Sequence, residues 1–356
     1  MSSNTKDEEE VLPPQRPPSP PPHTTFAARG IHPPTFSAFK PRDVRLPSHQ
    51  GMTSVAWNCD GKRLGAVGID KLVRLWWPDK SLEVRSASTY AGGHSEDVDH
   101  LSWNPTHPDL FCTSSQKDKR IVFWDARQSR HIQTLHLKHS PAQTVWSPTG
   151  KDLVCITTSR NVLFAQFGHT GEGPSQSWQA VEREGPPMGA TTWVTFNHAG
   201  DGMIVSVSSE HQIRLVDYQS LNVLLATAAH VGGCNTTALD PRGNYLATGG
   251  NDSIVNLFDT TEWLCARTIT ACDHVVNSIS FSHDGEFIAI ANSGNYIDIC
   301  ATETGMPLHR VPSLGPAPVV QWHPSKHVIA YCGQSKLREG GPPPSAWISL
   351  FGPGAP

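Results

Sequence analysis

Histidine, hydroxyl, aspartate and aromatic side chains occur twice in the same order and at similar spacing. The two sets are His94, Ser114, Asp118 and Trp124, and His230, Thr248, Asp252 and Phe258. In both sets the aspartate precedes the aromatic residue by six positions. A carboxylate in a polar turn could do acid–base chemistry, or it could accept hydrogen bonds from loop N–H groups that would otherwise be buried unpaired. Because no nucleophile or second base accompanies these aspartates, the pattern favours a structural role and predicts no catalytic residue.

Other signatures of catalysis or metal binding are missing from the sequence. It has no phosphate-binding loop, no G-x-S-x-G, no H-E-x-x-H and no dinucleotide fingerprint. His136 and His139 are close together, but no third ligand accompanies them. The eight cysteines include no C-x-x-C pair and several lie in apolar runs, which is typical of buried reduced thiols. The sequence therefore predicts a non-enzymatic protein without a metal or a cofactor.

Charge and hydropathy limit the partners that the chain can bind by itself. Its 356 residues carry a formal net charge of −4, which argues against autonomous binding to nucleic acid or to an anionic membrane. The opening MSSNTKDEEE is acidic, and no run of about 18 apolar residues follows it. We therefore expect a soluble, intracellular chain with no membrane partner.

The first 34 residues differ in composition from the rest. They contain nine prolines, including the run PPQRPPSPPP, together with an acidic patch and few aliphatic residues. Such a segment buries too little surface to offset its ordering entropy, so residues 1–34 are predicted to be a disordered tail. A polyproline ligand for a partner domain is the alternative that the composition leaves open.

From residue 50 onward one strand pattern occurs seven times. A short apolar strand ending in an aromatic or aliphatic residue precedes a polar turn, and neighbouring copies are 41 to 50 residues apart. The anchors are Trp57, Trp103, Trp146, Phe196, Leu239, Phe281 and Trp322. Seven units of this length predict an all-β, seven-bladed propeller over 35–352, with blades starting near 50, 97, 142, 191, 234, 276 and 317 and a short tail at 353–356.

The last unit has only three strands of its own. The segment TFSAFKPRDVRLP, 35–47, precedes the first blade and is the available donor of the fourth strand. We predict that it pairs beside residues 346–351 and closes the ring, which removes an exposed sheet edge.

Two insertions break the period. One lies near 168–190 in blade 3, and the other occupies 333–346 in blade 7. The second contains three charged candidates for partner binding, Lys336, Arg338 and Glu339. Insertions in repeat proteins often form binding loops, but a tolerated surface loop is equally compatible with either segment.

The two His, Ser/Thr, Asp and aromatic sets resemble the WD-repeat family, in which these side chains form a hydrogen-bonded tetrad across a blade. A narrower resemblance comes from SISFSHDGEFIAIANSGNYIDICATETG in blade 6 and WHPSKHVIAYCGQ in blade 7. Over about 50–352 the chain resembles the WD-repeat subunit 3 family of the THO complex, part of the transcription-export (TREX) assembly. Gly294 departs from the acidic turn residue expected in blade 6.

That resemblance implies a non-catalytic nuclear scaffold. Its expected partners are the larger helical THO subunits and, indirectly, an RNA helicase and mRNA, so that transcription is coupled to packaging and export of messenger ribonucleoprotein. Direct nucleic-acid binding by this chain alone is not expected.

A second resemblance involves Trp124-Asp125-Ala126-Arg127. It is similar to the W-D-x-R sequence of propellers that serve as substrate receptors of cullin-RING ubiquitin ligases. Arg127 could meet an acidic adaptor surface, or it could simply cap the strand. A ligase receptor is therefore the alternative function.

Overall fold

Seven four-stranded antiparallel sheets form the structure, and each sheet is one blade of a propeller. The computed structural model describes residues 16–157, 161–169, 176–184, 191–336 and 343–353. The innermost strand of each blade contacts that of the next blade, and the last contacts the first, so the ring is closed. The predicted all-β, seven-bladed fold is confirmed.

Strands run in chain order from the centre of the ring outward. Blade 1 contains β2 (Met52–Trp57), β3 (Leu64–Gly68), β4 (Val73–Trp76) and β5 (Ser88–Tyr90), and blade 2 contains β6 (His100–Trp103), β7 (Leu110–Ser115), β8 (Arg120–Asp125) and β9 (His131–His136). Blade 3 contains β10 (Pro141–Trp146), β11 (Asp152–Thr157), β12 (Asn161–His169) and β13 (Gln176–Glu184). Blade 4 contains β14 (Thr191–Phe196), β15 (Gly202–Val207), β16 (Gln212–Asp217) and β17 (Val223–Ala228).

Blade 5 contains β18 (Cys234–Leu239), β19 (Tyr245–Gly250), β20 (Val255–Asp259) and β21 (Cys265–Ile269). Blade 6 contains β22 (Val276–Phe281), β23 (Phe287–Asn292), β24 (Tyr296–Ala301) and β25 (Pro307–Pro312). Blade 7 contains β26 (Val319–Trp322), β27 (Ile329–Gln334) and β28 (Ala346–Gly352), with β1 (Lys40–Arg45) as its outer strand. The inner strands begin within three residues of the predicted blade starts. The described helices are single 3₁₀ turns of three residues, and none of them has the length or apolar character needed to cross a bilayer.

The core lies between neighbouring blades. Second strands such as β15, β19 and β23 are buried along their whole length, because each is covered on both faces by adjacent sheets. Outer strands such as β9 and β17 are half-exposed. Apolar side chains of blades 2 and 3 therefore form one cluster, and those of blades 6 and 7 form another.

The ring is closed by the N-terminal strand, as the sequence predicts. β1 pairs antiparallel with β28, in a register that runs from Lys40 opposite Gly352 to Arg45 opposite Trp347. Leu46 continues the pairing by donating its N–H to the Ala346 carbonyl over 2.8 Å. The last blade thus takes its fourth strand from the other end of the chain.

The prediction of a disordered tail through residue 34 does not hold for residues 16–34, which the structure describes on the surface of blades 5 and 6. The Phe26 ring lies 5.5 Å from that of Phe287. Arg29 donates to both carboxylate oxygens of Glu286, over 2.8 and 2.6 Å. These aromatic and ionic contacts offset the entropy lost on ordering the segment, which the proline content alone indicated would be too large to offset. Residues 1–15 lie outside the described part of the chain.

The insertion in blade 3 extends an ordinary blade hairpin. β12 and β13 each span nine residues, whereas most strands here span four to six, and they pair from Asn161 opposite Glu184 to His169 opposite Gln176. In blade 7, residues 337–342 of the other insertion lie outside the described residues.

Candidate protein-interaction site

The polar set of blade 2 forms a continuous hydrogen-bond chain. His94 Nδ1 lies 3.0 Å from Asp118 Oδ2, and His94 Nε2 lies 2.8 Å from Thr113 Oγ1. Trp124 Nε1 donates to the same Thr113 oxygen over 2.9 Å. Burial lowers the pKa of His94, with Asp118 opposing that shift, so the neutral ring is favoured.

Ser114 is not the hydroxyl of this chain, which corrects the sequence prediction. Successive side chains of a strand point to opposite faces, so Thr113 faces His94 and Ser114 faces away. In the register of the blade, Thr113 lies opposite Val122, and Trp124 lies opposite Phe111. The tetrad of blade 2 is therefore His94, Thr113, Asp118 and Trp124.

Blade 5 carries the equivalent arrangement. His230 Nδ1 lies 3.0 Å from Asp252 Oδ1, and His230 Nε2 lies 2.9 Å from Thr248 Oγ1. Phe258 occupies the position of the tryptophan and is buried, but its ring offers no donor to Thr248. Both sets connect strands within one blade and lie under the turns, so their chemistry is structural hydrogen bonding.

Arg127 is held at the end of β8 by its own turn. Its Nε donates to Asp125 Oδ1 over 2.9 Å and its Nη2 to Asp125 Oδ2 over 2.7 Å. The second carboxylate, that of Asp109, lies 3.6 Å from Nε. The side chain remains 63% exposed, but two carboxylates already neutralise its charge. The geometry thus gives Arg127 a strand-capping role.

A groove of about 730 Å³ lies beside this turn, between blades 2 and 3. Asp125 forms part of its border, and its apolar lining includes Ile132 of β9 and Phe167 of β12, which are 45% and 50% exposed. The buried Trp178 of β13 forms another part of the lining. Exposed apolar side chains inside a polar rim are typical of a protein-binding surface.

The long hairpin is fixed on blade 2 by Trp178. Gln133 of β9 accepts a hydrogen bond from the Trp178 N–H and donates one to the Trp178 carbonyl, both over 2.7 Å. The Trp178 ring stacks on Phe123, with centroids 4.5 Å apart and an interplanar angle of 1°. This contact was not predicted from the sequence, although a lone tryptophan within the insertion was an available signal for it.

The other predicted binding residues do not join this site. Lys336 is exposed just after β27 in blade 7, which blade 1 separates from blade 2. Arg338 and Glu339 lie outside the described residues. The structure thus brings the Arg127 turn and the blade 3 insertion together, and it places Lys336 elsewhere on the ring.

His100 and Trp193 meet near the centre of the ring. Their rings, from the inner strands of blades 2 and 4, are 5.8 Å apart, and His100 Nδ1 lies 3.3 Å from Thr144 Oγ1 of blade 3. Burial lowers the pKa of His100 to about 4. A neutral histidine therefore connects three blades at the central channel.

Comparison with known proteins agrees with this architecture. The family model for the WD domain, G-beta repeat, matches residues 40–76, 86–125 and 222–259. Among solved structures, the β-propeller domain of Cps50 (Swd1) from Myceliophteria thermophila superimposes with a TM-score of 0.70, at 16% identity, over 87% of this chain and 98% of that one. That likeness shows the fold.

Two curated relatives cover most of the chain. WD repeat-containing protein AAC3 of Dictyostelium discoideum is 25% identical over 345 residues, which are 89% of this chain and 68% of the relative. THO complex subunit 3 of Arabidopsis thaliana is 30% identical over 283 residues, which are 80% of this chain and 86% of the relative. With its seven blades and WD repeats, the chain belongs to the THO complex subunit 3 family of WD-repeat proteins.

Proposed function

We propose that this protein is a non-catalytic scaffold subunit of a nuclear THO/TREX-type complex, where it helps to couple transcription to mRNP packaging and mRNA export. The observation that carries the proposal is the 30% identity to THO complex subunit 3 over 86% of that relative. This match covers 80% of the chain, and thus most of the ring. The tetrads support a rigid scaffold, because their polar groups are used in joining strands within a blade.

The partners that we propose are the larger helical THO subunits, and through them an RNA helicase and mRNA. We assign their docking to the groove between blades 2 and 3. An amphipathic helix placed there would cover Ile132 and Phe167, while the groove's polar border, which includes Lys151 and Asp152, would stay near solvent. The strands β12 and β13, of nine residues each, supply a longer wall than the other described strands offer.

Affinity purification of the tagged full chain from nuclear extract tests this function. We expect helical THO subunits to be recovered with the chain, and the helicase to be recovered in smaller, salt-sensitive amounts. Phe167→Asp should reduce recovery of the THO subunits, because covering an unpaired charge in the groove costs free energy. Leu224→Asp, on exposed β17 of blade 4, is the matched control and should retain them. Absence of THO subunits from the wild-type sample would contradict the proposal.

The same purification addresses the ligase alternative. A cullin-RING receptor would bring down an adaptor and would lose it on Arg127→Ala. Because Arg127 is already paired with Asp125 and Asp109, we expect Arg127→Ala to leave recovery of the THO subunits unchanged.

A further inference from the structure

Three potential metal ligands meet where blades 6 and 7 adjoin. His283 and Asp284 lie in the turn between β22 and β23, and His327 lies in the turn between β26 and β27. Their candidate donor atoms all lie within 4.8 Å of one another. The two histidines are 44 positions apart in the sequence, and the packing of blade 6 against blade 7 brings them together.

The carboxylate is held in a fixed orientation. Asp284 Oδ1 accepts hydrogen bonds from Ser282 Oγ over 2.5 Å and from the Glu286 N–H over 3.1 Å. Its other oxygen, Oδ2, lies 2.9 Å from His327 Nε2. One oxygen is therefore used in orienting the group, and the other faces the histidines, as in metal sites whose ligands are positioned by surrounding hydrogen bonds.

His283 supplies the second independent observation. Its Nδ1 is buried and has no hydrogen-bond partner among the described residues. Its ring centroid lies 4.9 Å from that of His327. A buried nitrogen without a partner costs free energy, and a metal ion would satisfy it.

We propose that His283, Asp284 and His327 bind a divalent transition-metal ion, such as Zn²⁺, between blades 6 and 7. Two imidazoles and one carboxylate are a ligand set that zinc accepts, with a fourth position left for water or another ligand. All three residues are partly exposed, so ions can reach them from solvent. The bound ion would connect two turns of blades next to the ring closure and would stabilise the folded ring by mass action.

Zinc titration of the full chain tests the proposal. After chelator treatment and buffer exchange, the wild type is titrated with ZnCl₂ by calorimetry, and bound metal is measured by mass spectrometry. We expect one Zn²⁺ per chain, and a rise in the unfolding temperature on adding zinc.

Two variants remove one ligand each while keeping a polar side chain. His283→Gln and His327→Gln should each weaken zinc binding at least tenfold, and zinc should no longer raise their unfolding temperature. His327→Gln retains a donor for Asp284, so the turn can remain folded, and circular dichroism checks this. His136→Ala, on exposed β9, is the control and should bind zinc like the wild type. Wild-type binding no tighter than that of the two glutamine variants would overturn the proposal.

Discussion

Thr113 is the residue on which the tetrad of blade 2 depends. Its hydroxyl accepts from Trp124 and contacts His94, and all three side chains are buried. Thr113→Val keeps the shape but leaves two buried polar groups without a partner, at a cost of about 1–3 kcal/mol each. We expect the urea midpoint to fall with little change in slope.

Ser114→Ala is the matched control for this substitution. Ser114 is equally buried but lies on the opposite face of β7. Ser114→Ala should lower the free energy of unfolding by less than Thr113→Val does. A larger loss for Ser114→Ala would show that the tetrad had been assigned to the wrong hydroxyl.

The sequence located three of the four tetrad positions in blade 2, and a difference in turn length explains the fourth. Thr113 lies opposite Val122, nine positions later, whereas Thr248 lies opposite Asn256, eight positions later. The turn of blade 2 is thus one residue longer. Counting back from the aspartate by the same number in both blades therefore selects Ser114, and only the strand register reveals Thr113.

At the scale of elements, β1 protects the edge of β28. Deleting residues 1–46 would expose the backbone N–H and C=O groups of Ala346–Gly352, and such edges pair with other chains. We expect self-association that rises with concentration, measured by sedimentation velocity. Deletion of residues 1–39 keeps β1 and serves as the control. Identical sedimentation of the two truncated chains would contradict an edge-protecting role.

Gln133 anchors the long hairpin of blade 3 to blade 2. Its amide makes both hydrogen bonds to the backbone of Trp178, so Gln133→Ala leaves that N–H and C=O unpaired. We expect faster hydrogen exchange in Gln176–Glu184 and unchanged exchange in the blade 5 strands. Val181→Thr, at an exposed position of the same strand, is the control for a local surface change. Unaltered hydrogen exchange at Trp178 in Gln133→Ala would show that stacking on Phe123 is enough to anchor the hairpin to blade 2.

Blade positions follow from the sequence because each buried inner strand needs an apolar anchor at a nearly constant interval. The ordered structure of the N-terminal segment could not be predicted from the sequence, because prolines dominate its composition while Phe26 and Arg29 make its ordered contacts. Trp178 was likewise hidden, because its partners Phe123 and Gln133 belong to a different blade. Contacts between neighbouring blades join residues that are far apart in the sequence, so the pattern within one repeat does not identify the partners.

At the scale of the whole molecule, histidines that are wholly or partly buried make stability depend on pH. Burial lowers the pKa values of His94 and His230, and it lowers that of His100 to about 4. In the unfolded chain a histidine titrates near 6.5. Between the lowered pKa of each folded histidine and about 6.5, the unfolded state binds more protons than the folded state. These groups therefore stabilise the fold above about pH 6.5 and lose that effect as the pH falls. Asp240 acts in the opposite direction, because burial raises its pKa to about 6.

His100→Gln isolates one of these contributions. Glutamine keeps a polar contact for Thr144 but does not titrate, so the variant should lose less stability than the wild type between about pH 6.5 and 4. The difference in slope is at most about 1.4 kcal/mol per pH unit. Urea unfolding at four pH values measures it, with exposed His136→Gln as the control. Parallel pH profiles for His100→Gln and the wild type would mean that His100 takes up its proton as readily in the folded propeller as in the unfolded chain. The channel would then be open to water around the His100 imidazole.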